Sequence, residues 1–459
     1  MRRTAKGTFL TMAFNIRDQM QQAKIAIEIL CATKLSAICL LLFAALSTAA
    51  DWPHSRGKAR NGSTPESSGS IDGKWDLGTP LWNAEVGEGC TSPLIIGDNL
   101  YVMGHSMDHN RVVCLDTTTG KERWTVSYAA KRFGRYATGD QGMYGGPSST
   151  PEFDPATGYL YTLGPDGDLL CLNTKDSGTK KWAINLYDVF KVGQRPKVGV
   201  GGVQRDYGYT SSPLVLGDWL LVEVGAKGGN LIALDKMSGK QVWASANKDL
   251  AGHTGGMALM TVEGIPCVAV LTLYNLVVTR LDKGNEGTTV GIYSWATEFG
   301  NNIASPAIAG ECVLITSAYN KNAMCKVLVT LKGLERVWEA PVPSKACTPV
   351  VYKGHIYVAW QKISCLDLAN GKKLWDGGQV GDPGSIIATA DDRLIVWGQN
   401  GRLALVETAE RSPNQYTEIA RLDRIFTTHA WPPVAISGGK LVLKDRSGKI
   451  KVFALPNGK

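Results

Sequence analysis

The chain has 459 residues, of which 44% are hydrophobic and 20% charged. That composition excludes a disordered polar chain, and the length is too great for one ordinary core, so the protein is several domains or one closed repeat array. The formal net charge of +8 is weak support for a nucleic-acid partner, and with no basic run interleaved with aromatics none is expected.

Much of the positive charge sits at the start, where Arg2, Arg3, Lys6, Arg17, Lys24 and Lys34 face only Asp18 and Glu28. Leu35–Leu46 (LSAICLLLFAAL) is an apolar run followed by the small residues STAA. It is short for a bilayer span and has the form of a signal-peptide core, with cleavage near Ala49 or Ala50. Residues 1–50 are therefore read as a signal peptide, with Met12 and Met20 as alternative starts and an uncleaved membrane anchor as the alternative reading. No Cys sits just after the apolar core, so nothing supports a lipoprotein. The mature chain is expected outside the cytoplasm, in a periplasm or beyond, with no membrane span. Residues 51–77, polar and rich in Gly and Ser, are read as an extended arm, and PLWNAEV around Trp82 as one isolated strand.

The segment Val112–Trp124 (VVCLDTTTGKERW) then returns as Leu231–Trp243 (LIALDKMSGKQVW) and Ile363–Trp375 (ISCLDLANGKKLW), with a looser copy ending at Trp182. Each copy is an apolar strand, a polar turn closed by Gly, a basic residue and Trp. Around these copies the chain divides into units of about 40 residues with four short strands each, the size of a propeller blade. Asp166-Gly167 and Asn400-Gly401 are two-residue hairpin signals. The fourth unit, Gly255–Phe299, is ragged but keeps Trp295, and in the seventh Tyr416 stands where Trp is expected. The eighth lacks its Trp strand, and the Trp82 strand lacks partners. Joining the two closes a ring, so the fold expected for residues 78–459 is all-β, an eight-bladed β-propeller of four-stranded blades closed by its N-terminal strand. Seven blades is the alternative count.

The repeated motif reads as architecture. Gly120, Gly239 and Gly371 suit a positive φ, the tryptophans suit packing between sheets, and Asp116 suits bonding of turn amides. Cys114, Cys171 and Cys365 share a position held by Ala233 in a sister copy, so they read as small core residues. Cys312 and Cys325 flank a hairpin turn at Asn320–Lys321 that would not set them opposite each other. There is no CxxC and no Cys–His cluster with zinc spacing, so no metal site is expected.

These residues resemble the pyrroloquinoline-quinone-like (PQQ-like) propeller repeat. With DWPHSRGKARNG, GPSSTPEFDPATGYLYTLGPDGDLLCL, YGYTSSPLV and AWPPVAISGGKLVLKD, the chain is similar to exported bacterial propellers of the group that includes quinoprotein alcohol dehydrogenases and the outer-membrane assembly propeller lipoprotein. The resemblance to the dehydrogenases implies calcium carboxylates, an Asp base, a disulfide between neighbouring cysteines and an aromatic floor. No two cysteines are adjacent here, and Asp140, Asp188 and Asp206 form no recognisable ligand set.

If the Trp strands are outermost, the crossings to the next innermost strand share one face of the ring. Two of them are long, SYAAKRFGRYATGDQGMYGGP and LYDVFKVGQRPKVGVGGVQRDYGYT. Long insertions on one face usually mark the binding face of a repeat protein. The candidate rim residues are Arg135, Tyr144, Arg205, Tyr209, His253, Asn302, His429 and Trp431, suited to an anionic or carbohydrate-like ligand through Arg forks and aromatic faces. The alternative is that Tyr and Arg merely pack Gly-rich loops down. No GxSxG, HExxH, phosphate loop or EF-hand occurs, so no catalytic residue is assigned. The expected function is a non-catalytic binding or assembly scaffold for a protein or glycan partner, without a cofactor. The alternative is a PQQ- and Ca2+-dependent dehydrogenase of alcohols or sugars. A polysaccharide hydrolase or lyase would need a carboxylate pair at the channel mouth.

Overall fold

The apolar runs between the polar turns are buried on both faces, because each small sheet lies between two others. Asn99–Ser106 is buried at every position but its ends, whereas the outer strand Glu122–Ala129 is largely exposed. Near-continuous apolar runs inside and mixed sequences outside follow from that position. In the computed structural model residues 51–136, 144–197, 205–298, 300, 302–382 and 384–456 are described. Residues 1–50, expected from sequence to be a signal peptide, lie outside them, as do Asp140 and Asn301.

Eight antiparallel sheets form, numbered here as blades in chain order: blade 1 spans residues 94–129, blade 2 152–185, blade 3 214–244, blade 4 258–294, blade 5 307–340, blade 6 350–381, blade 7 385–422 and blade 8 435–454 together with 82–85. Blade 1 runs Leu94–Ile96, Asn99–Ser106, His109–Asp116 and Glu122–Ala129 from inside to outside. In blade 6 the stretch His355–Asp367 folds back at Gln361, where φ is +61°, and supplies both middle strands. The Leu368 N–H then donates to the Gly354 carbonyl at 3.0 Å. Blade 8 takes three strands from the C-terminus and its outermost, Trp82–Glu85, from the N-terminus. That strand pairs with Lys449–Ala454 in the register Trp82↔Val452 to Glu85↔Lys449. The expected closure is therefore present.

The repeated motif stitches each blade to the one before it. In blade 1 Asp116 Oδ1 accepts from the N–H groups of Thr118 and Thr119 at 2.9 and 2.8 Å, and Asp367 does the same for Ala369 and Asn370. The turn Gly has a positive φ and also carries the previous blade's Trp on its bare Cα. A Cβ on Gly120, Gly239 or Gly371 would lie 2.5, 2.8 or 2.7 Å from the ring of Trp82, Trp182 or Trp338. Each of these indoles donates Nε1–H to the carbonyl following the motif Asp, at Thr117, Lys236 and Leu368. Cys114, Cys171 and Cys365 lie directly across from Trp124, Trp182 and Trp375 and are fully buried.

Two aromatic assignments differ from expectation. In blade 4 the position opposite Val278 is held by Gly291, with Leu334 filling the space, and Trp295 lies just past the strand under Lys321. In blade 7 Ala420 lies opposite Leu405, and Tyr416 packs back on Gly377 of blade 6. Both hairpin signals turn the chain, but through longer connections than two residues: Gly164–Gly167 joins Leu163 to Asp168, and a 3-10 turn Gln399–Gly401 joins Gly398 to Arg402.

The inner strands begin at residues that bond around the central channel. Ser92 N–H donates to Thr150 Oγ1, Thr150 N–H to Ser212 Oγ and Ser305 N–H to Thr348 Oγ1, each at 3.0 Å. Val434 N–H donates to Ser385 Oγ at 3.1 Å, and Ser92 Oγ–H to the Pro433 carbonyl at 3.1 Å. This hydroxyl girdle marks the face where the long crossings enter.

The arm occupies the other end of the channel. Trp52 pairs with Ile95 of blade 1, and Gly62 and Thr64 bond Ala388 of blade 7. Between them the arm reaches blade 2, where buried Glu152 accepts from Arg60 and the Val215 N–H and is 3.0 Å from His54 Nδ1. Glu66 accepts from the N–H groups of Gly438 and Gly439, both at 2.9 Å, which ties the arm to blade 8. Among the described residues no helix is long and apolar enough to cross a membrane.

Candidate functional site

With the arm across one end, the described residues leave a funnel that faces the long crossings. It encloses about 1210 Å³ of empty space, part of it open to solvent. Trp52, Ser55, Arg56 and Gly62 of the arm line its floor, and girdle residues Thr150, Ser305, Thr348 and Ser385 its middle. Ile303, Ile386, Ile387, Pro433 and Val434 make most of the remaining wall apolar. Among the described lining residues there is no Asp, Glu or Lys, and the only permanently charged side chain is Arg56.

The mouth is a collar of aromatic rings. Tyr144 stacks on Trp431 with centroids 4.6 Å apart and planes 6° from parallel. Tyr207 meets Tyr144 edge-on at 6.4 Å and His253 at 5.2 Å. Arg446 lies 5.3 Å over Tyr144, and Lys345 lies 5.7 Å over Trp431 and 5.5 Å over Tyr319. The faces of the Tyr144–Trp431 stack are thus taken by cations, a favourable arrangement for both partners. Carboxylates hold these cations from behind. Lys345 Nζ is 3.1 Å from Asp382, and Glu88 lies between Arg132 at 2.7 Å and Arg446 at 3.7 Å. Burial works to raise the Glu88 pKa, but the two guanidiniums outweigh it and keep the group ionised.

His253 is buried, and burial together with Arg195 lowers its pKa. Its Nδ1 is 3.2 Å from the Gly300 carbonyl and its Nε2 is 3.4 Å from the Tyr207 N–H, which assigns Nδ1 as the protonated nitrogen. Asp206 beside it is fully buried and pinned: it accepts from the Arg195 N–H at 2.9 Å, Arg195 Nη1 at 2.7 Å and the Gly208 N–H at 2.9 Å. Burial opposes ionisation of Asp206, but Arg195 holds it far below the usual carboxylate range. A carboxylate so committed is a poor general base.

Of the eight rim residues read from sequence, Tyr144, His253 and Trp431 line the funnel, and His429 packs against Trp431 at 6.0 Å. The other four are not among the described lining residues. Arg135 is bound to Asp166 at 3.1 Å and Asp188 at 2.5 Å and covers Tyr187. Tyr209 is buried, with its hydroxyl donating to the Val224 carbonyl at 3.0 Å. Asn302 donates to the Trp295 carbonyl at 3.2 Å. Arg205 is half-buried in its crossing. The list read from sequence lacks Tyr319, Lys345 and the whole arm floor. The one signal was positional and concerned Lys345, which lies in the short crossing SKACTP before the inner strand Val350–Tyr352.

A bound Ca2+ needs several oxygen ligands with carboxylates among them. The described lining offers hydroxyls and carbonyls only, and no group of three or more His, Cys, Asp or Glu among the described residues is placed to hold a metal. The donor set does not fit a calcium–quinone site.

The sequence matches the family model described as outer membrane protein assembly factor BamB over residues 69–188 and 156–377. No curated protein sequence matches. Among solved structures, BamB from Moraxella catarrhalis is similar with a TM-score of 0.54 and 13% identity, over 82% of this chain and 99% of that one. Quinohemoprotein alcohol dehydrogenase from Comamonas testosteroni gives a TM-score of 0.61 and 13% identity, over 89% of this chain and 81% of that one. A computationally designed protein, Ika8, gives 0.54 and 10%, over 82% of this chain and all 100% of its own. At these identities the structural likeness concerns the fold alone.

Proposed function

From the premise that this chain belongs to the family of the outer membrane protein assembly factor BamB, we propose that it is a non-catalytic binding scaffold. Its leader directs it out of the cytoplasm, and the long-crossing face with its funnel receives the ligand or partner. One observation carries this reading: the described funnel wall has no carboxylate, and Lys345, Arg446, Glu88, Asp382 and Asp206 around its mouth are already paired. Lys345 and Arg446 cap aromatic rings, Glu88 and Asp382 hold those cations, and Asp206 is saturated with donors. Acid–base chemistry on an alcohol or sugar needs a group free to exchange a proton with the substrate, and glycoside cleavage needs two carboxylates flanking the bond.

The test is titration of the purified mature protein with pyrroloquinoline quinone and calcium. Bound-cofactor absorbance is followed first, then dye reduction with a panel of alcohols and sugars. The expected result is no turnover with any substrate. Stoichiometric cofactor binding with turnover would overturn the scaffold reading. Fractionation of cells expressing the full chain tests the leader, with recovery outside the cytoplasm and loss of residues 1–50 expected.

A further inference from the structure

Arg56 is the odd group in the funnel. The arm carries it across the channel to half-buried depth, where it separates the funnel from a second cavity on the arm side. Its Nη2 donates to two backbone carbonyls, Asn61 at 3.0 Å and Pro349 at 2.7 Å. Among the described residues no carboxylate pairs with it, and Nε and Nη1 have no protein acceptor. A guanidinium has five N–H donors in a planar fork suited to a two-oxygen acceptor. Three of the five therefore remain for a partner. Three other deep cations do have a carboxylate, Arg195 with Asp206, Lys236 with Asp154 and Arg60 with Glu152, whereas Lys444, bonded to the Gly89 carbonyl, is fully buried and does not line the funnel. Removing a cation from water without a counter-charge is costly, and burial pulls the Arg56 pKa down to about 10.

The surroundings supply the rest of a site. Ser55 lies beside Arg56, the girdle hydroxyls Ser305 and Thr348 stand above it, and the wall towards the mouth is apolar through Ile303, Ile386 and Val434. A cationic floor and a ring of hydroxyls under an otherwise apolar wall match a ligand that is anionic at one end and apolar along its body. We propose that the funnel binds a small organic anion, a carboxylate or sulfonate with an apolar body, whose acid group sits on Arg56. This rests on the funnel being the binding face, as proposed above, and adds the class of ligand and its anchor. The anchor comes from the N-terminal arm, so ligand and arm stabilise each other: whatever seats on Arg56 also holds the floor shut.

The experiment uses two fluorescent probes of similar apolar body, 1-anilinonaphthalene-8-sulfonate and the neutral N-phenyl-1-naphthylamine. The purified protein is expected to bind one equivalent of the sulfonate, displaceable by benzoate, at least several-fold more tightly than the neutral probe. Arg56→Gln is expected to weaken the sulfonate on the order of ten- to a hundredfold, the usual effect of removing a charged hydrogen-bond partner. The neutral probe is expected to be unchanged, and Arg56→Lys to restore only part of the sulfonate affinity, because lysine keeps the charge but not the planar fork. Unchanged binding of the neutral probe also shows that Arg56→Gln leaves the funnel intact. If that variant does not fold, the wild-type preference for the sulfonate and its displacement by benzoate still decide the matter. Equal binding of both probes, or sulfonate binding indifferent to Arg56→Gln, overturns the anion anchor while leaving the funnel as a binding site. Absence of saturable binding by either probe overturns the anchor too. Cofactor turnover in the preceding assay is the separate result that would overturn the scaffold reading.

Discussion

Two glycines of blade 6 isolate the contribution of Trp docking from that of backbone conformation. Gly371 and Gly354 both hold positive φ, +73° and +77°. A Cβ at Gly354 would meet nothing within 4 Å, whereas at Gly371 it would lie 2.7 Å from the Trp338 ring. Alanine at either position costs roughly 1–2 kcal/mol for the left-handed conformation alone. At Gly371 the indole must also move, adding about 1–3 kcal/mol of packing strain. Displacement also breaks the Trp338 Nε1–H bond to the Leu368 carbonyl, about 1 kcal/mol more. Gly371→Ala is therefore expected to cost about 3–6 kcal/mol against about 1–2 kcal/mol for Gly354→Ala. The assay is urea unfolding followed by tryptophan fluorescence and by circular dichroism, the two transitions being required to coincide before free energies are compared. Equal costs for the two variants would refute the claim that the motif Gly is a docking surface for the neighbouring blade's Trp.

The arm and the closing blade give two further predictions. Glu152→Ala removes the acceptor shared by Arg60, His54 and the Val215 N–H. Breaking such a buried pair costs about 3 kcal/mol, the low end of the usual range because Arg60 can partly rehydrate. The arm should then become cleavable by trypsin at Lys58, and an arm as resistant as wild type would count against the latch. Burial tends to raise the Glu152 pKa, but Arg60 and His54 win and lower it. With the folded value below the unfolded one, this stabilisation is present above about pH 4.3 and fades as pH falls through the folded value, so arm cleavage by an acid-active protease should rise there. In blade 8 Lys444 is fully buried, and burial outweighs Cys90, Asp445 and Glu88 in bringing its pKa down to about 8. It donates to the Gly89 carbonyl at 2.5 Å, while Asp445 is satisfied by Thr428, Ser447 and the Lys449 N–H. Lys444→Met should therefore raise stability at pH 7 by about 1–2 kcal/mol. The folded pKa lies below the unfolded one, so wild type gains stability as pH rises above 8 and the variant's advantage should shrink, as thermal melts at several pH values would show.

What was legible in the sequence is what repeats. The period, the Gly-closed turn after Asp116, Asp235 and Asp367, and the orphan Trp82 strand together led to eight blades and their closure, because each is a local pattern with a local physical cause. Trp295 and Tyr416 were misplaced for the same reason. They are aromatic at nearly the right distance, but Gly291 and Ala420 hold the docking positions, and only the strand register reveals it. The crossings were harder still. Arg135 and Tyr144 belong to the same long loop and look alike as rim candidates. One is spent on Asp166 and Asp188 and the other stacks on Trp431, a residue from the opposite end of the chain.

The arm was least legible, since its polar composition suggests a solvated tail and each of its important contacts is distant in sequence. Arg56 bonds a carbonyl 293 residues away, and Glu66 bonds amides 372 and 373 residues away. These contacts exist only once the ring has closed, because the arm touches the inner ends of blades that are far apart along the chain. Closure is made by Trp82–Glu85, just after the arm. The order of events follows from loop entropy: the closing strand brings the arm to the channel, and short connections then let it dock at little further cost. A truncation lacking residues 51–66 should therefore keep the ring, whose closing strand is intact, and lose the floor. Its channel would pass solvent from end to end, and the sulfonate probe would lose its preference over the neutral one. If the truncated chain instead failed to form the ring, the arm would have to be part of the closure itself, and Arg56 would owe its position to folding before it owed anything to a ligand.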